Sequence, residues 1–237
     1  MDAQDLKVAI VGSGNIGSVV ARLAASAGME VFLSNSRGPE TLADLAAELG
    51  DRVHASTVRE AVAASDVVVV SIPLGRYRDL PADAFEGRLV LDATNFIPFR
   101  DADVADLAAA APSPSHLLQD FLPGADVVKA FSNIYSGHLL ALARPAGSKD
   151  RSALPVAGDI SAAKVRATEL LNLLGWDAVD AGPLVGCSRF EVGRPVFVKA
   201  YMADPSGSGE DWGARMTTDP GKPLPAHRVR ELLSAEA

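Results

Sequence analysis

Residues 6–18 read Leu6-Lys7-Val8-Ala9-Ile10-Val11-Gly12-Ser13-Gly14-Asn15-Ile16-Gly17-Ser18, and the punctuation of this stretch decides the fold. The run 6–11 is short, apolar and rich in β-branched residues, the pattern of a buried strand. The Ala-rich run 18–27 reads as a helix. Between them stands Gly-x-Gly-x-x-Gly. Its first glycine permits a tight turn, its second lets backbone approach a pyrophosphate, and its third lets helix and strand pack closely. The helix N-terminus adds free N–H groups and a partial positive charge. Gly12, Ser13, Gly14, Asn15, Ile16 and Gly17 are therefore the expected phosphate cradle of a dinucleotide.

Downstream, the second predicted strand, 31–34, ends in Ser34-Asn35-Ser36-Arg37. Sites that hold the unphosphorylated dinucleotide carry Asp or Glu there to bind the ribose hydroxyls. Here a guanidinium stands where a carboxylate would repel a 2′-phosphate, and Asn35 and Ser36 can donate beside it. The expectation is NADP rather than NAD.

Further strands are predicted at 52–55, 67–72, 89–92 and 127–130, with helices at 41–49, 58–64 and 103–111. This alternation calls for a parallel sheet with right-handed crossovers. The fold class is α/β, a Rossmann-type doubly wound sheet over 1–143 with a smaller C-terminal α/β lobe over 144–237. A turn is expected around Pro112 and Pro114, a helix over 132–142 and an exposed connection over 144–154. The lobe should hold a strand at 154–157, a helix at 161–174, a strand at 176–180, an irregular arm over 204–225 and a short helix near 227–233. Ser71, Ile72, Pro73 and Asn95 fall at predicted strand ends, on the carboxyl edge where such sheets bind ligands, and should border the nicotinamide.

The net charge of −8, with Lys and Arg scattered, argues against nucleic acid as a partner. No run approaches the roughly 20 apolar residues of a membrane span, and the N-terminus lacks the basic region of a signal peptide. The expected location is the cytoplasm. Cys187, the only cysteine, reads as a small buried hydrophobe. No metal site is expected, and no motif supports a hydrolase. Hydride transfer demands closeness, orientation and exclusion of water more than a strong acid or base. The polar candidates after the sixth strand are Lys129, Ser132, Asn133, Tyr135 and His138, and the catalytic expectation rests on Ser132, Asn133 and His138.

Four stretches resemble the NADPH-dependent reductases of the deazaflavin coenzyme F420: VAIVGSGNIG from Val8, NSRG from Asn35, DVVKAFSNI from Asp126, and the run from Pro155 to Leu184. The resemblance implies a homodimer with NADPH on the glycine loop and a second ring against the nicotinamide. It also implies that Ser36 and Arg37 meet the 2′-phosphate and that Ser132 and Asn133 lie near the two rings. The leading expectation is hydride exchange between NADP(H) and coenzyme F420 or a flavin-like partner. The alternatives are a reductase of a small imine or ketone, with a proton from Ser132, Asn133 or His138, and a sensor that binds NADPH without turnover.

Overall fold

A computed structural model describes residues 3–206 and 211–235. Eight strands are present among them: β1 Lys7–Val11, β2 Glu30–Ser34, β3 Val53–Ala55, β4 Val67–Val70, β5 Leu89–Asp92, β6 Asp126–Lys129, β7 Ala153–Gly158 and β8 Asp177–Asp180. They form one sheet in the order β3-β2-β1-β4-β5-β6-β7-β8. The first six are parallel, with β1 in register between β2 and β4 through Ile10, Leu33 and Val69. β4 is Val-Val-Val-Val and wholly buried, as a strand covered on both faces requires.

The helices are α1 Asn15–Ser26, α2 Ala43–Leu49, α3 Val58–Ala64, α4 Ala105–Ala110, α5 Pro114–Phe121, α6 Ser136–Ala141, α7 Ser161–Leu173, α8 Asp211–Thr218 and α9 Ala226–Ser234. Two apolar cores result, one on each face of the sheet. One gathers Ile10, Val20, Leu33, Val69, Leu91 and Trp176, the other Val11, Val68, Val70, Phe85, Val90 and Leu118. The strand order reverses between β1 and β4. A doubly wound sheet opens its ligand crevice at that point, and the glycine loop lies there.

The structure corrects several expectations. The Pro-Ser run at 112–115 begins a helix rather than only turning the chain, because Pro114 occupies the first turn of α5, where its missing N–H is harmless. The helix expected over 132–142 shortens to α6. Phe131 takes φ 61°, a left-handed conformation that prevents helix from starting at Ser132. The connection expected over 144–154 is exposed only in its first part, since Arg151, Ser152 and Ala153 are buried. The Arg151 guanidinium holds Asp177 at 2.6 Å and the Asn172 carbonyl at 3.0 Å. β7 then runs antiparallel to β6, pairing Lys129 with Ala157, and parallel to β8.

The arm expected to be irregular contains α8, and residues 207–210 of it lie outside the described residues. After α8 the chain is tied to the body. Lys222 N donates to Tyr201 O, and Leu224 bonds to Ser152 and Ala153.

Candidate cofactor and acceptor site

The glycine loop is shaped by contacts that differ at each position. Gly12 has φ +102°, a conformation suited to glycine, and a Cβ there would sit 2.3 Å from Ser71 O. Its N–H donates to Ser34 O at 2.9 Å, closing the loop on β2. A Cβ on Gly17 would sit 1.9 Å from Gly12 O. Gly14 is the N-cap of α1 with φ −76°, and a Cβ there would meet nothing within 4 Å. The outer two glycines are thus required by the protein's own packing. The middle one leaves backbone bare toward the crevice, which fits a pyrophosphate at the helix N-terminus.

The loop after β2 is built by Asn35. Its Oδ1 accepts from the N–H groups of Arg37 at 2.8 Å and Gly38 at 3.0 Å, and its Nδ2 donates to Thr41 Oγ1 at 2.9 Å. Thr41 Oγ1 donates in turn to Gly38 O. Asn35 therefore organises the turn, a common use of Asn. Ser36 and Arg37 are left exposed, and the Arg37 guanidinium pairs with no acid among the described residues. Thr41, read from the sequence only as the first residue of the helix expected over 41–49, is the part of this loop that spacing alone did not reveal.

Three cavities follow one another along the carboxyl edge of the sheet. The first, about 310 Å³, lies between Ser13, Ser36 and Arg37 on one side and Arg76 and Leu80 on the other. The second, about 320 Å³, shares Gly14, Ser71, Ile72 and Pro73 with it and extends to Asn95 and Arg100. The third, about 250 Å³, shares Asn15, Ile16 and Asn95 with the second and reaches Ser132, Tyr135, Phe197 and Met216. All thirteen residues expected to bind cofactor line this groove except Gly17, which packs beneath the loop.

The three expected catalytic residues divide. Ser132 borders the third cavity, whereas Asn133 and His138 border none of the three. Asn133 is fully buried. Its Nδ2 donates to Val196 O at 2.9 Å and Tyr201 Oη at 3.1 Å, and its carbonyl accepts from Val198 N at 2.8 Å. It anchors the segment that supplies Phe197 and Val198 to the cavity wall. His138 is also buried, its Nε2 3.0 Å from Asp219 O and its ring edge-on to Tyr135. It joins α6 to the segment after α8.

Buried oxygens without a hydrogen-bond partner gather at this edge: Thr94 Oγ1, Asn95 Oδ1, Ser132 Oγ and Asn133 Oδ1. Such groups are uncommon in folded proteins, and here they share two neighbouring strand ends. Beneath them lies an ion pair whose members the sequence reading named separately, Lys129 as a polar candidate and Asp92 as a strand end, without joining them. Both are fully buried, with Lys129 Nζ 3.2 Å from Asp92 Oδ2 and also donating to Thr94 O. Asp92 Oδ1 accepts from Thr94 N at 2.8 Å. Burial disfavours the Lys129 ammonium most strongly, but Asp92 acting together with Cys187 and Glu191 outweighs it, and the ammonium is held above its usual range. A charged residue closing each of two apolar strands, Leu89-Val90-Leu91-Asp92 and Asp126-Val127-Val128-Lys129, was the available signal.

Cys187 is buried, with Sγ 3.1 Å from Glu191 Oε1. Burial pushes its thiol up to about 12, only partly opposed by Lys129. Because the thiolate is the reactive form, the native protein is expected not to react with a disulfide reagent at pH 8. One equivalent of thiol should appear only after denaturation, and prompt native labelling would contradict this burial.

Residues 7–96, which carry the glycine loop, the Arg37 turn and the ends of β4 and β5, match the family described as NADP oxidoreductase, coenzyme F420-dependent. Over this segment the chain resembles that family. Among solved structures, a hypothetical protein of Sinorhizobium meliloti, SMa0349, is 30% identical with TM-score 0.70, over 81% of this chain and 93% of that one. A protein of Arthrobacter sp. FB24, provisionally assigned as an F420-dependent NADP-reductase, is 25% identical with TM-score 0.65, over 78% of this chain and 87% of that one. The 3-hydroxyisobutyrate dehydrogenase of Mycobacterium tuberculosis shares the fold at 22% identity and TM-score 0.53, over 76% of this chain and 56% of that longer one. No curated protein matches the sequence. The matched segment thus marks an NADP-dependent oxidoreductase domain in this chain. Among the described residues no helix is long and apolar enough to cross a membrane, and no cluster of His, Cys, Asp and Glu could hold a metal ion.

Proposed function

We propose that the groove binds NADPH, with its adenosine end in the cavity at Arg37 and its nicotinamide near Asn95, and that hydride passes between it and a deazaflavin or flavin-like acceptor in the third cavity. The observation that carries this reading is the continuity of the three cavities, which meet at Gly14 and then at Asn15, Ile16 and Asn95. When bound, the reduced nicotinamide supplies the hydride. The chain's own part is geometric. The α1 N-terminus and bare Gly14 backbone fix the pyrophosphate, and Ser36 and Arg37 select the 2′-phosphate. Tyr135, Phe197 and Met216 give the acceptor cavity an apolar wall that excludes water. Among the described residues lining this cavity the one titrating side chain is Tyr135, a weak acid, which suits a transfer between two rings.

The imine or ketone reading needs a proton donor. Of the three residues expected to serve, only Ser132 borders the cavity, so the observations favour the planar-ring acceptor. Mixing the protein with NADPH and oxidised F420 and following both absorbances tests this. Loss of the F420 band in step with NADPH oxidation is expected, and an unchanged F420 band alongside reduction of cyclic imines would reverse the preference.

Arg37→Glu tests the cofactor end. Losing a charge-assisted pair and gaining a repulsive carboxylate should weaken NADPH by about 10- to 100-fold, with NADH held as well as before or better. Calorimetric titration of both cofactors reads this out, and equal loss for the two would count against a 2′-phosphate clamp.

A further inference from the structure

Among the described residues three cations line the groove, Arg37 and Arg76 at the adenosine end and Arg100 at the other, in a chain of net charge −8. Arg76 is engaged by Asp79 at 2.5 Å. Arg100 lies outside every motif that marks the cofactor site. Its guanidinium is fixed from one side: Nε and Nη2 donate to Asp101, the latter at 2.8 Å, and Nη2 also donates to Asn95 O at 2.6 Å. Asp101 has no exposed side-chain surface, and it accepts from Gly75 N at 3.0 Å and Ile97 N at 2.8 Å. One knot thus joins the loop after β4 to the loop after β5. Arg100 keeps 35% of its side chain exposed, and its Nη1 edge has no partner among the described residues. The cavity it borders is the one lined by Gly14, Asn15 and Ser71.

We infer that Arg100 is a second phosphate-binding residue of the groove, donating from its Nη1 edge to a pyrophosphate oxygen on the nicotinamide side of the dinucleotide. This rests on the NADPH reading above and deepens it. An arginine already held by Asp101 loses little rotamer freedom on meeting the ligand, and a planar fork suits an anionic oxygen better than an ammonium. The opposite face of the pyrophosphate then meets the α1 N-terminus, so the phosphate is gripped from both walls. Because Nη2 also holds the Asn95 carbonyl, the same side chain sets the position of a residue shared with the acceptor cavity.

The test compares whole and half ligands by calorimetry on Arg100→Met and Arg100→Lys. The lysine variant keeps a cation beside buried Asp101 and so guards the fold, and thermal melting checks both. Either variant should lose about tenfold or more in NADPH affinity, the worth of one charge-assisted hydrogen bond. Adenosine 2′,5′-bisphosphate, which lacks the nicotinamide half, should bind as it does to the wild type. Unchanged NADPH affinity in both variants would overturn the assignment. Equal weakening of NADPH and the bisphosphate would overturn it too, since that marks a general disturbance of the groove. If wild type binds the bisphosphate in an Arg37-dependent manner, the NADPH reading stands whatever Arg100 does. If wild type binds neither ligand, both readings fall.

Discussion

Lys129→Met should destabilise the protein by about 3–5 kcal/mol, the cost of leaving a buried charge without its partner. Asp92 would keep the Thr94 N–H but lose the cation that stands 3.2 Å away, at a strand end with no exposure to water. For a chain of this length that corresponds to a fall in Tm of roughly 10 °C. Asp92→Asn in the same background removes the orphaned charge and should recover a large part of the loss, which makes the double-mutant cycle the informative measurement. A loss below about 1 kcal/mol in Lys129→Met would mean that water reaches Asp92. The effect should extend to function, because Lys129 also holds Thr94 O, one residue before Asn95. Freed from that contact, the loop after β5 should bind NADPH less well even at temperatures where the variant is folded.

The second large effect separates fold from binding within a single motif. Gly14→Val should leave the melting temperature close to wild type, since Gly14 has an ordinary φ and a Cβ there meets open space. The new side chain would nevertheless stand where the pyrophosphate approaches the α1 N-terminus. Loss of one to two charge-assisted hydrogen bonds predicts weakening of NADPH by about 100-fold. Gly12→Ala should behave oppositely. Its φ of +102° and the 2.3 Å approach to Ser71 O impose strain on any side chain, of order 1–3 kcal/mol for the backbone alone. If Gly14→Val bound NADPH normally, the pyrophosphate would not lie at this helix N-terminus.

The legible parts of the molecule were those in which constraint is local. The glycine loop could be read because its outer glycines answer to neighbours within a few residues or to the adjoining strand, and the central strands β1, β4 and β5 because burial on both faces leaves apolar runs. Arg37 could be singled out, because a missing carboxylate is as informative as a present one, and the structure leaves it exposed on the groove. Asn133 and His138 could not be assigned, for a physical reason. Sequence identifies a polar side chain, but its partners decide its role. Those partners are Val196 and Tyr201 in the first case and Asp219 in the second, more than sixty positions away. The Asp92–Lys129 pair, 37 residues apart, was hidden in the same way. Helix α5 was missed because Pro and Ser mark both turns and helix beginnings, and only the packing of Leu117 and Leu118 beneath the sheet distinguishes the two.

The anchoring of Asn133 by Val196 and Tyr201 carries a consequence for the order in which the molecule is made. Every side chain expected to grip the dinucleotide emerges from the ribosome by Arg100, whereas the groups that fasten Asn133, and with it Phe197 and Val198, arrive nearly a hundred residues later. A nascent chain folding from its N-terminus would therefore acquire a place for the electron donor well before it acquires a wall for the recipient. Reduced nicotinamide held during that interval would face open solvent on the side that Phe197, Val198 and Met216 line only when the last third of the chain has docked.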